Sequence, residues 1–268
     1  MSVRPAAVAG MFYPAQAAEL SNQISRSLAV AESELEKGLP LPRAIIVPHA
    51  GYIYSGLTAA FAYQSVRGAP FRRVVLFGPA HRVGFQGMAV PEVNRYQTPL
   101  GDIPIDREAV RSALSHAEVQ TSDVAHAEEH SLEVQLPFLQ AVLPHFELLP
   151  ICVGMVAPEA VAEVMEMFID DRDMLVVISS DLSHYHDYQS ANAIDHATLE
   201  KIMSINGAIN HEQACGATAI NALLILADKY GLEPRLLDYR NSGDTAGDKN
   251  RVVGYASMAW FEQGRLNE

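Results

Sequence analysis

Residues 43–56 read RAIIVPHAGYIYSG, and the fold is decided there. Ala44-Ile45-Ile46-Val47 is a short apolar, largely β-branched run of the kind that forms buried parallel strands. It breaks at Pro48 and delivers His49 into a loop carrying Gly51, Tyr52, Tyr54 and Gly56. A second copy of the arrangement follows: Arg73-Val74-Val75-Leu76-Phe77, then Gly78-Pro79-Ala80-His81. Two strands that each end in a proline followed by a histidine present two imidazoles at the same edge of one sheet. In open α/β sheets that carboxyl edge is where ligands bind.

Outward from these strands, apolar runs alternate with helical patterns. The spacing predicts a helix over 17–37, with Leu20, Ile24, Leu28 and Leu35 near one face. A second helix is expected over 57–66, stopped by Gly68 and Pro70. Residues 82–105 read as a β-hairpin or two short strands, and 106–116 as a helix capped by Asp106. An acidic loop over 123–129 runs into HSLEVQLPFL, expected to be a helix kinked at Pro137. Strands over 146–153 and 173–179 bracket a helix over 158–169. Helices over 190–205 and 216–230 follow, with a loop at 211–215 between them. A last strand pair, 235–239 and 251–261, flanks a polar loop. No composition shift marks a linker, so the expectation is one α/β domain over 1–268, its mixed or mostly parallel sheet sandwiched between helical layers.

Composition narrows the function classes. A formal net charge of −13 argues against a general nucleic-acid binder, which needs a basic face. The longest apolar run, near Ala219–Ala227, is interrupted by Asn221 and is too short to span a membrane. The N-terminus lacks a basic stretch followed by an apolar one, so no signal peptide is read. Two cysteines, Cys152 and Cys215, give no disulfide framework and fit a reducing cytoplasm.

Neutral imidazole is the commonest protein ligand for a transition metal, which makes His49 and His81 the first candidates. The bland reading of either alone is a hydrogen-bonded structural histidine. Asp181 and His184 stand three apart in SSDLSH, at the end of the most apolar strand. They read as a carboxylate orienting a general acid/base histidine, against a plain helix cap for Asp181. His186 reads as a surface residue. Cys215 precedes the helix beginning at Gly216, where a helix N-terminus favours thiolate, while Cys152 reads as a small buried hydrophobe. A cysteine nucleophile with His184 as base is the rival to the metal reading. Glu128, Glu129, His130 and Glu133 form a further cluster, ordinarily solvated surface, in which His130 stands beside an apolar run. Tyr52 and Tyr54 either line the pocket or pack beneath it. No phosphate-cradling loop is present.

PHAGYIYSG (48–56), GPAH (78–81), EEHSLEVQLPFL (128–139), SSDLSH (179–184) and Cys215-Gly216, in this order, resemble the Memo family. That family is similar in fold to the class III (LigB-type) extradiol dioxygenases. The resemblance implies one pocket with His49, His81 and Cys215 as metal ligands. Asp181 and His184 stand beside them as catalytic residues, with Tyr52, Tyr54 and His130 toward the substrate. Where the related dioxygenases hold non-haem Fe(II) on two histidines and a glutamate, this sequence puts a cysteine in place of the carboxylate. Thiolate is softer, so copper and zinc join iron as candidates, with Fe2+ favoured. The implied function is a non-haem iron or copper redox enzyme, dioxygenase-like, acting on a small molecule. The alternative is a peptide-binding or metal-carrying module with a relic dioxygenase pocket. The resemblance also implies pathway partners of radical-SAM and AMME type.

Overall fold

A computed structural model describes residues 2–264. In chain order the elements are β1 (Val3–Arg4), α1 (Ala17–Glu34), β2 (Ala44–Val47), α2 (Tyr52–Gln64), β3 (Arg73–Pro79), β4 (Met88–Val90), β5 (Arg95–Thr98) and β6 (Gly101–Pro104). There follow α3 (Arg107–Ala113), β7 (Val119–Thr121), α4 (Asp123–Ala127), α5 (His130–Glu133), α6 (Leu136–Val142), β8 (Glu147–Val153) and α7 (Pro158–Ile169). The chain continues through β9 (Met174–Ser179), β10 (His184–His186), α8 (Tyr188–Met203), α9 (Ala217–Tyr230), β11 (Leu232–Asn241) and β12 (Val252–Glu262).

The main sheet runs β10-β12-β2-β9-β3-β8-β4-β7, with β11 on β12, nine strands among the described residues. Its centre is parallel: β2 pairs with β9, β9 with β3 and β3 with β8. These are the strands written as unbroken apolar runs, because helices cover both of their faces and leave no solvent side to mark with polar residues. β2 and β9 are buried at every position. The antiparallel pairings of β12 with β2 and of β4 with β8 make the sheet mixed. Helices α1, α2 and α6 pack on one another, and α2 lies against β2 and β12. Separately, α7 packs on α9, with α7 against β9 and α9 against β3, so the sheet is sandwiched as the sequence pattern implies. The topology places β9 between the two histidine-bearing strands, so β2, β9 and β3 end side by side at one carboxyl edge.

Local departures from the sequence reading have identifiable causes. GYIYSG is not a loop: α2 starts at Tyr52, where the Tyr52 N–H donates to Phe12 O at 2.7 Å. Pro137 kinks nothing, because it stands in the first turn of a separate helix, α6, where a missing N–H costs no bond. Residues 82–105 divide their duties: β4 joins the main sheet, while β5 and β6 form a hairpin that β1 extends. The segment after Ser179 leads to strand β10 rather than into a helix that Asp181 could cap. Asp106 does cap α3, its side chain accepting from Ala109 N. Among the described residues no helix is long and apolar enough to cross a membrane.

Candidate metal centre

His49 leaves β2 at its carboxyl end and is 2% exposed. Its backbone N–H donates to Asp181 Oδ1 at 2.7 Å, and its ring Nδ1 lies 2.8 Å from Ser179 Oγ at the end of β9. The hydroxyl of Ser179 donates to Ser131 O at 2.6 Å and accepts from Gln135 Nε2 at 2.8 Å. Its one proton is therefore spent on a carbonyl, and His49 Nδ1 must be the donor in the remaining bond. That fixes the tautomer: Nε2 is the unprotonated nitrogen, and it points at Cys215 Sγ, 3.3 Å away. Burial, followed by the neighbouring His81 and His130, holds the His49 imidazole well below its ordinary pKa, so it is neutral and able to ligate.

His81 follows β3 and takes both oxygens of Glu129. Its N–H donates to Oε2 at 2.6 Å and its Nδ1 lies 3.0 Å from Oε1. Glu129 is 1% exposed. Burial pushes its pKa up, but the His81 ring, the Ser131 N–H and the His81 N–H outweigh that and hold it at about 2. An ionised Glu129 makes Nδ1 the protonated nitrogen of His81 and leaves Nε2 free in the neutral ring, the carboxylate–histidine pairing common behind metal ligands. The approach of α5 to β3 that makes this possible runs over Gly78, where a Cβ would lie 2.6 Å from Ser131 Oγ and 2.9 Å from Leu132 Cδ2.

His130 opens α5 and packs against both histidines, with ring centroids 4.7 Å from His81 and 5.5 Å from His49. One ligand atom from each of His49, His81 and His130 lies within 4.8 Å of the other two. At ordinary metal–nitrogen lengths of about 2.1 Å, each atom has to close in by less than about 1 Å to share an ion. His130 Nδ1 is buried without a hydrogen-bond partner, and lies 3.4 Å from Glu129 Oε1. Burial lowers the His130 pKa to about 4, so the orphan belongs to a neutral ring. The His130 ring thus has a buried nitrogen that no hydrogen bond satisfies, in a cluster whose three ligand atoms stand close enough to share a cation. The donor set fits a transition metal.

The other sequence candidates fall around this cluster. Asp181 is buried at 4% exposure. Burial raises its pKa against the pull of His184 and of the His49 N–H. No hydrogen bond between Asp181 and His184 is found; they interact through charge, and His184 is half-buried on β10. Cys215 sits just before α9, with its Sγ accepting from Asp181 N at 3.3 Å. The expectation that the helix N-terminus favours thiolate is reversed: burial, then the Asp181 charge, push the thiol up to about 12. Gly216 allows the close seat, since a Cβ there would lie 2.7 Å from Ser180 Cβ. Tyr52 is buried and donates to Val134 O at 2.7 Å, packing on Tyr13 and Phe138. Tyr54 is 38% exposed, His186 is exposed, and Cys152 is fully buried.

Three participants were not singled out from sequence. Ser179 and Gln135 set the His49 tautomer, and Phe12 lies against the His130 ring with centroids 4.7 Å apart. The polar side chains of Ser179 at the end of an apolar run and of Gln135 inside one were the available signal. Glu133, from the cluster ordinarily read as surface, is fully buried. It pairs with Arg4 and accepts from Ala7 N, Val8 N and the Tyr13 hydroxyl, tying the N-terminal segment to α5.

Fold and site together define an α/β protein with a histidine-rich cluster able to coordinate a metal ion at the carboxyl edge of its sheet. The family model described as Memo-like protein matches residues 4–259, and the chain belongs to the Memo family. A MEMO1 family protein of Ignicoccus hospitalis is 38% identical, covering 96% of this chain and 98% of its own. Those of Methanosarcina mazei and Thermotoga neapolitana are 36% and 35% identical, covering 96% and 95% of this chain and 99% and 98% of theirs. The crystal structure of an uncharacterised Escherichia coli K12 protein aligns over 88% of this chain and 91% of its own. Its TM-score is 0.48 at 10% identity, too distant to transfer any residue.

Proposed function

We propose that this Memo-family protein is a non-haem iron or copper dependent redox enzyme, dioxygenase-like, acting on a small-molecule substrate. His49 and His81 hold the ion, Cys215 supplies the third ligand, and His130 closes the cluster from α5. Zinc satisfies the same donor set without redox chemistry. The observation that supports this reading most is the forced tautomer of His49, whose free Nε2 stands 3.3 Å from Cys215 Sγ. When bound, iron or copper would supply electron transfer and Lewis acidity to these ligands' site.

The chain's own groups provide orientation and proton handling. Ser179 and Glu129 fix the two imidazoles through their Nδ1 atoms. Asp181 holds the loop through the His49 N–H, and His184, half-buried and interacting with Asp181 through charge, carries the acid/base role. The thiol-nucleophile alternative loses support, because burial and the Asp181 charge keep the metal-free thiol protonated, whereas a bound cation would draw the proton off Sγ.

Elemental mass spectrometry after anaerobic purification tests the ligand set. Near-stoichiometric iron or copper in the wild type is expected, lost in His49→Ala and His81→Ala and reduced in Cys215→Ser. Metal content unaltered in His49→Ala or His81→Ala sinks the reading. Substrate turnover that survives His184→Ala removes the proton role, and metal loading without any turnover leaves the metal-carrying module.

A further inference from the structure

The three histidines of the centre are not held alike. His49 is fixed at Nδ1 by Ser179, and His81 at Nδ1 by Glu129. The His130 ring has no such partner: its Nδ1 is buried and unbonded, and no hydrogen bond to either ring nitrogen is found among the described residues. A ring without hydrogen bonds is oriented by what it packs against. Three rings lie against it. Two are His49 and His81, which belong to the cluster themselves. The third is Phe12, with centroids 4.7 Å apart and an interplanar angle of 41°. Among the described residues, Phe12 is thus the one ring contact that reaches His130 from outside the cluster.

Phe12 is itself held in place. Its N–H donates to Val8 O at 2.9 Å, and its carbonyl accepts the Tyr52 N–H at the start of α2 at 2.7 Å. On both sides the chain is pinned to Glu133: Arg4 pairs with it, Ala7 N and Val8 N donate to it at 2.8 and 3.0 Å, and the Tyr13 hydroxyl donates to it as well. Between these anchors Gly10, at a φ of +82°, turns the chain, its N–H donating to Tyr13 O at 2.7 Å. Glu133 stands three residues beyond His130 on α5. The segment 4–13 and the His130 ring are therefore fastened to the same short helix, one through a buried carboxylate and the other covalently. Moving the Phe12 ring off His130 means shifting an anchored backbone or leaving a favoured rotamer.

We infer that Phe12 is a positioning residue of the metal centre, keeping the His130 ring turned into the donor cluster by packing, as Ser179 and Glu129 keep the other two by hydrogen bonds. The inference rests on the metal reading, with His130 in the donor set.

The test is a Co2+ titration of the full chain after its metal is removed by chelation, read by affinity and by the visible ligand-field bands. Phe12 is half-buried, so Phe12→Leu keeps an apolar side chain there and removes only the ring, while Phe12→Tyr restores the ring. Phe12→Leu is expected to weaken Co2+ binding about tenfold and to move the bands toward those of His130→Ala. Phe12→Tyr should stay within about twofold of wild type. In a His130→Ala background, Phe12→Leu should weaken binding by less than about twofold more, because the ring it acts through is gone. A role confined to stability would weaken binding alike in both backgrounds, and that result overturns the inference. Wild-type affinity and bands in Phe12→Leu, or in His130→Ala, overturn it too. His49→Ala separates the two readings. Wild-type binding that His49→Ala abolishes and Phe12→Leu leaves alone overturns the inference only, whereas a wild type that takes up no Co2+ overturns the metal reading and this inference with it.

Discussion

Glu129 and Asp181 perform the same task at two strand ends: each buried carboxylate accepts the backbone N–H of a candidate metal-binding histidine, at 2.6 Å for His81 and 2.7 Å for His49. They part company at the rings. Glu129 also takes the His81 Nδ1 proton, whereas the His49 ring leans on the neutral Ser179 and leaves Asp181 with fewer donors. Burial acts upward on both pKa values, so the number of donors decides the outcome. Glu129 is held at about 2, and Asp181 rises above its ordinary value. The site therefore has one half in which donors keep the carboxylate charged and anchor His81, and another, around Asp181, in which burial works against the charge.

The largest effect expected from this contrast is acid lability on the Glu129 side. A carboxylate lowered on folding from 4.5 to about 2 contributes stability that is complete above pH 4.5 and lost as pH falls toward 2. The contribution is about 3 kcal/mol at most, less for screening at the partly exposed His81. Urea unfolding of wild type and Glu129→Gln at pH 7 and pH 3 should show a drop that is larger in the wild type by about that amount. Gly78→Ala comes next. The new Cβ would press on Ser131 and Leu132 and force α5 away from β3, costing about 2 kcal/mol in thermal or urea unfolding. Gly38→Ala serves as control: it has open space around it but a φ of +82°, so it isolates backbone strain from crowding.

His126 offers a comparison outside the centre. Its Nε2 donates to Ala89 O at 2.9 Å and its Nδ1 accepts from the Tyr96 hydroxyl at 2.6 Å, so the neutral ring is fully satisfied. Burial lowers its pKa from 6.5 to about 4. The unfolded chain takes up a proton below pH 6.5 while the native state refuses it, so stability is full above 6.5 and falls toward pH 4. Between pH 7 and 5 the His126 share of the loss is about 2 kcal/mol, and His126→Gln should make the drop in urea unfolding smaller by about that amount, leaving the shares of His49 and His130. The smallest effect belongs to Asp181→Asn. An amide keeps an acceptor for the His49 N–H in place of a carboxylate that burial already disfavours, so unfolding at pH 7 should shift by less than about 1 kcal/mol.

The contrast also marks what the sequence could reveal. His49, His81 and Asp181 were legible because each follows an unbroken apolar strand, and parallel strands deliver their ends to one edge. Cys215 was legible as a residue but not in its protonation, which depends on burial and on Asp181 across the pocket. Glu129 and Glu133 look like solvated surface because their partners are remote: His81 lies 48 residues from Glu129, and Arg4 lies 129 residues from Glu133. Local charge patterning cannot register a partner that only the sheet order brings near. The same holds for Ser179, whose role follows from bonds to Ser131 and Gln135 in one remote segment and to His49 in another. The start of α2 at Tyr52 escaped because its first N–H is satisfied by Phe12 O rather than by a capping side chain.

The most direct test of the unlike roles of the two carboxylates is metal affinity in Glu129→Gln and Asp181→Asn, each titrated with Fe2+ under anaerobic conditions beside the wild type. The account predicts a loss of about 10- to 100-fold in Glu129→Gln, where the ring of a ligand loses its charged partner, and a change below about threefold in Asp181→Asn. Equal losses in the two variants, or the larger loss in Asp181→Asn, would contradict it.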